Sequence, residues 1–189
     1  MNADDVQAAR NAMLATLTPV AAAPGWEGDA GGLAWSCKET LAHIAHDLFA
    51  YAGQLTTSAE DAYLPVDLVA RPEATPAQLI GITAGCADLL ATVLRTTDST
   101  ARAWHWGPTD PSGFAALGVN EILLHTWDIA TGLGVGFTMP APLCAAVLAR
   151  LFPNSPGGDP AEALLWCTGR IALPHRPRLE SWTLRAAVS

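Results

Sequence analysis

Three titratable side chains, Glu121, His125 and Asp128, stand in one nine-residue run, Asn120-Glu121-Ile122-Leu123-Leu124-His125-Thr126-Trp127-Asp128. Glu121 and His125 are four residues apart, so on a helix they share one face, and Asp128 follows one turn later. A carboxylate and an imidazole in that register can ligate one divalent ion. If they face a core they need such a partner, because unpaired buried charge is costly. A solvent-facing pair is the alternative that spacing alone leaves open. A second segment supplies another imidazole, His43 or, one turn on, His46, and neither spacing nor polarity chooses between them. Two imidazoles and one carboxylate give Zn²⁺ three protein ligands and leave a position open for chemistry. A ligating histidine usually donates its other N–H to a carboxylate, for which Asp128 is the better placed candidate and Asp47 the second.

Helices must carry these residues, and helical signals dominate the chain. Val6, Ala9, Met13, Leu14 and Leu17 lie at helical spacing within a first helix from Asp4 to about Thr18. Ser36, three residues before Glu39, forms a capping box that starts a second helix reaching about Ser58. Thr75-Pro76 opens a third helix through Leu94, and Asp110-Pro111-Ser112 a fourth that Gly132 stops. Pro140 to Phe152 reads as a fifth helix, and Asp159-Pro160 opens a short sixth closed by Gly169. Glu180 to Val188 alternates apolar and polar residues, as one strand or an extended tail would. The expected fold is mainly α: an antiparallel four-helix bundle over residues 1–135, with 136–189 packed on it as a short helical and extended appendage, in one structural unit.

Composition agrees. A chain of 189 residues forms one core by default, and 50% apolar against 15% charged residues excludes wholesale disorder. The net charge of −8 argues against nucleic acid and anionic membranes as partners. The acidic N-terminus is unlike a secretory signal, so a cytoplasmic protein is expected. The uncharged stretch Ile129 to Ala149 is broken by Gly132, Gly134, Gly136, Pro140 and Pro142, which makes it loop and helix ends instead of a membrane span. Cys37, Cys86, Cys144 and Cys167 are far apart and read as buried thiols. Trp104-His105-Trp106 either fills a loop or walls a pocket, and His175 reads as a surface residue. Arg170, Arg176 and Arg178 form the only basic cluster, with solvated Arg the simpler reading and reception of a substrate carboxylate the alternative. No phosphate loop, nucleophile elbow or dinucleotide fingerprint is present.

The segment Trp35-Ser36-Cys37-Lys38-Glu39-Thr40-Leu41-Ala42-His43-Ile44-Ala45 resembles the metal-site helix of the DinB/YfiT-like metalloenzymes. Gly113 to Gly118, with Glu121, His125, Trp127, Asp128 and Gly132, is similar to the corresponding helix of the mycothiol-dependent maleylpyruvate isomerase branch. Leu164 to Arg170 is similar to a late segment of many actinobacterial members. The resemblance implies a four-helix bundle with a divalent metal, Zn²⁺ or a similar ion, held by His43, Glu121 and His125, and mycothiol as thiol cosubstrate. High Ala, Gly, Pro and Arg content fits the high-GC genomes of that branch. A thiol on Zn²⁺ loses its proton at neutral pH, so transfer or isomerisation through an activated thiolate is the expected reaction. The alternatives are a hydrolase using metal-bound hydroxide and a non-catalytic DinB-like module that holds a ligand. Small molecules, the thiol among them, are the expected partners of a monomer or homodimer. Gly118 replaces an Arg of some members, and the C-terminal segment is shorter than in others, so maleylpyruvate is not implied as the acceptor.

Overall fold

The computed structural model describes residues 1–188 and is mainly helical. Its helices are α1 (Ala3–Leu17), α2 (Cys37–Thr57), α3 (Pro76–Thr96), α4 (Pro111–Gly132), α5 (Ala141–Leu151) and α6 (Pro160–Cys167). The predicted starts of α2, α3 and α4 are set by side-chain caps. Ser36 Oγ accepts from the Glu39 N–H at 3.1 Å while Glu39 accepts from the Ser36 N–H at 2.8 Å. Thr75 and Gln78 repeat that reciprocal cap, and Asp110 accepts from the Gly113 N–H ahead of α4. A cap of this kind satisfies N–H groups that have no partner within the helix.

Helix α1 packs on α3 and α4, α2 packs on α3 and α4, and α5 joins α4 to α6. Sixteen of the 22 residues of α4 are buried, as befits a helix apolar on nearly every side and surrounded by neighbours. Glu121 and His125 are therefore placed on an interior helix, and their polarity must be answered within the protein. Helix α3 is long and apolar enough to cross a membrane by length and composition alone. Its Leu79, Ile80, Ala87 and Leu90 are buried and belong to the common core with α1 and α2, as in a core helix. The same apolar core continues through Leu143, Val147 and Leu164, so the C-terminal helices share it with the first four.

Of the two forms expected for the C-terminal segment, the extended tail is the one present. Residues 180–188 form no strand; the segment is an extended tail that bonds singly, Arg185 N–H to Leu151 C=O and Val188 N–H to Pro108 C=O. Its alternation has no neighbouring strand edge to act on, and of Trp182, Leu184 and Ala186 only Ala186 is buried. The one sheet among the described residues is instead a hairpin of β1 (Ala103–Trp104) and β2 (Pro108–Thr109), turned by Trp106 at φ 52° and Gly107 at φ 136°. There His105 is buried among the Tyr51, Tyr63 and Phe114 rings while Trp106 faces solvent, so this tripeptide fills a loop. All four cysteines are buried free thiols.

Gly132 lets the end of α4 meet the loop before α2. A Cβ there would collide with the Asp29 carbonyl oxygen and lie 2.8 Å from Cys37 Sγ and 3.1 Å from Ala30 Cα. Gly132→Ala should destabilise the protein by about 1–3 kcal/mol, the usual cost of overpacking. Urea unfolding checks this, and an unchanged midpoint would show that the loop yields freely.

Candidate metal centre

The cap at Ser36 starts α2, the burial of Leu41, Ile44 and Leu48 sets which face it turns inward, and two turns from the cap His43 points toward α4. Its Nε2 lies 3.5 Å from Glu121 Oε2, which is in turn 3.2 Å from His125 Nε2. Donor atoms of the three residues all lie within 4.8 Å of one another. A tetrahedral ion with ligands at about 2.0–2.2 Å spaces its donors about 3.3–3.6 Å apart, so these residues fit a divalent ion. The two imidazole rings stand almost perpendicular, 86°, with centroids 5.0 Å apart. Trp35 leans over them, its ring 4.8 Å from that of His43.

His125 also has the orientation that ligation requires. Its Nδ1 meets Asp128 Oδ2 at 2.9 Å, leaving Nε2 toward Glu121. Asp128 is 1% exposed, and both its oxygens accept from the Arg170 guanidinium, at 2.9 and 2.6 Å. Arg170 is thus an inward ion-pair partner, contrary to its expected solvation; Arg176 stacks on Trp166 and Arg178 stays exposed. Asp47 meets His43 differently. Its Oδ2 lies 3.6 Å from Nε2, the nitrogen that faces Glu121, and accepts from the Tyr51 hydroxyl at 3.2 Å. His46 is not among the converging donors; its Nε2 lies 3.8 Å from Asp47 Oδ1 and 3.9 Å from Asp67 Oδ1.

Burial alone would raise the Glu121 carboxyl, but hydrogen bonds from His125 and His43 hold it well below the ordinary carboxylate range. Burial would lower His125, yet hydrogen bonding to Asp128 and Glu121 raises it to about 9. For Asp47, burial and then the charge of Glu121 push the carboxyl up to about 6. A cavity of about 400 Å³ opens beside the three donors, with Trp35, Trp127 and Trp182 in its walls and Arg178 and Glu180 contributed by the C-terminal segment. A second cleft of about 310 Å³, beside α2, α3 and residues 68–74, holds no imidazole or thiol.

Residues 6–130 match the family described as the mycothiol maleylpyruvate isomerase N-terminal domain. The chain belongs to this family. No curated protein and no solved structure matches it. Of the polar residues around the site, Arg170 lies beyond the stretch that the mycothiol maleylpyruvate isomerase domain covers. Its partner Asp128 is 42 positions away, and the demand of a buried carboxylate for a cation was the one signal pointing to such a residue.

The ion pairs around His125 imply a pH effect on the metal-free protein. An unfolded-chain histidine titrates near about 6.5. A folded value raised to about 9 contributes stability that is complete below pH 6.5 and is lost as pH rises through 9. The melting temperature of the metal-free protein should therefore fall toward that of His125→Asn between these two pH values. A constant difference between the two proteins would contradict the assignment.

Proposed function

We propose that the protein is a metal-dependent enzyme that adds or transfers mycothiol, or a similar small thiol, to a small electrophilic substrate, with His43, Glu121 and His125 as the metal ligands. The convergence of these three donors on the wall of a cavity carries the proposal, and membership of the mycothiol maleylpyruvate isomerase family supports it. The nitrogen and oxygen donors suit Zn²⁺. Such an ion, when bound, supplies the positive charge that stabilises a thiol as its thiolate at neutral pH.

The chain's own residues do the rest. Asp128 accepts from Nδ1 of His125 and so aims Nε2 at the space shared with Glu121 and His43, where a bound ion would take its lone pair. Glu121 bridges the two imidazoles and offsets positive charge in a partly buried site. Trp35 and the apolar cavity wall exclude water from one side, which strengthens electrostatic interactions there. Tyr51 fixes the Asp47 carboxylate beside His43, where it borders the cluster. All three tail arginines are engaged, Arg170 with Asp128, Arg176 with Trp166 and Arg178 through Nε with the Gly169 carbonyl, and Arg178 also lines the cavity, where its remaining N–H groups can meet an acceptor. Small molecules as partners and a cytoplasmic site of action belong to the same proposal.

Metal-loaded protein should conjugate mycothiol to an electrophile faster than metal-free protein, and Glu121→Gln should lose the enhancement. With Co²⁺ as the ion, added thiol should produce a sulfur-to-metal charge-transfer band. Absence of the band, with ester or amide hydrolysis in place of conjugation, would pass the site to a hydrolase; neither activity, to a binding module. His43→Ala and His125→Ala should each lose stoichiometric metal while His46→Ala retains it. The reverse result for His43 and His46 would reassign the ligand on α2.

A further inference from the structure

Arg170 does more than anchor the C-terminal segment. Its side chain is 10% exposed and all its nitrogens are used: Nε and Nη2 donate to the two oxygens of Asp128, and Nη1 donates to the Thr168 carbonyl. The Asp128 oxygen that accepts from Nη2 is the one in contact with Nδ1 of His125. One rigid fork therefore immobilises both oxygens of the carboxylate that orients the His125 ring. Charge-assisted pairs of this geometry are the strong, directional ones. Without Arg170, the buried Asp128 would keep His125 as its one side-chain partner, and nothing would hold its plane.

We propose that Arg170 is a positioning residue for the metal centre: acting through Asp128 it fixes the His125 ring, so that the C-terminal segment sets the metal affinity of a site whose ligands all come from α2 and α4. This rests on the metal reading given above, from which its test is separable. Groups behind a ligating histidine typically change metal affinity by about 10–100-fold. One step further from the ion, Arg170 should act at the lower end of that range.

Zinc affinity of the full chain is measured by competition with a chromophoric chelator, alongside melting of the metal-free protein. Arg170→Ala should weaken zinc binding by about tenfold. Arg170→Lys should fall between it and the wild type, since a single ammonium cannot span both Asp128 oxygens. Arg176→Ala, which removes the stack on Trp166 in the same segment, should leave affinity unchanged. In an Asp128→Asn background, Arg170→Ala should add little. A variant that melts lower yet binds zinc like the wild type would show that Arg170 is an anchor only, and would overturn the proposal. If Arg170→Ala does not fold, wild-type affinity in Arg170→Lys overturns it equally. Failure of the wild type to bind zinc would instead remove the metal reading itself.

Discussion

A carboxylate held inside a bundle of apolar helices must be met by positive charge or by hydrogen-bond donors, and Glu121 is such a carboxylate. The two nearest groups are the imidazoles of His43 and His125. That constraint propagates outward. His125 is held on its far side by Asp128, and Asp128, 1% exposed, is held in turn by Arg170. Acid and base alternate along the line, so no buried charge is left without a partner. Breaking such a line at any point leaves an uncompensated charge, which costs far more than the intact pairs contribute.

The helices exist in the register this line requires because their starts are fixed chemically. The cap at Ser36 starts α2, and burial of Leu41, Ile44 and Leu48 turns that helix so that His43 and not His46 points at α4. The cap at Asp110 and the proline after it start α4, which then runs through the interior with Glu121, His125 and Asp128 in successive turns. The loop before α2 packs closely on the end of α4 at Gly132, and the tail closes the other side of the cavity. The site thus draws on segments from both ends of the chain.

Much of this was legible in the sequence because it is local. Helix starts follow from Ser36, Thr75 and Asp110, and the pairing of Glu121 with His125 follows from a four-residue interval. The choice between His43 and His46 was not legible from spacing, and burial would not have made it either, since their side chains are 28% and 30% exposed. Only the direction of the side chain relative to α4 separates them; it took family resemblance to favour His43. Arg170 was hidden for a different reason: its partner lies 42 positions away, and an Arg after a helix end reads locally as solvated. In the tail the alternation is real but has no strand to pair with, so pattern alone left strand and extended tail both open. The hairpin at Ala103–Thr109 was missed because each of its strands is two residues long, too short for an alternating pattern to show.

If His43, Glu121 and His125 together hold one divalent ion, that ion can be seen directly. Crystals of protein purified without added metal or a histidine tag, measured at the zinc edge, test it most directly. One anomalous peak should lie about 2.0–2.2 Å from Nε2 of His43, from a Glu121 oxygen and from Nε2 of His125. A map with no peak among these three side chains, from protein that also fails to take up zinc when soaked, would contradict it.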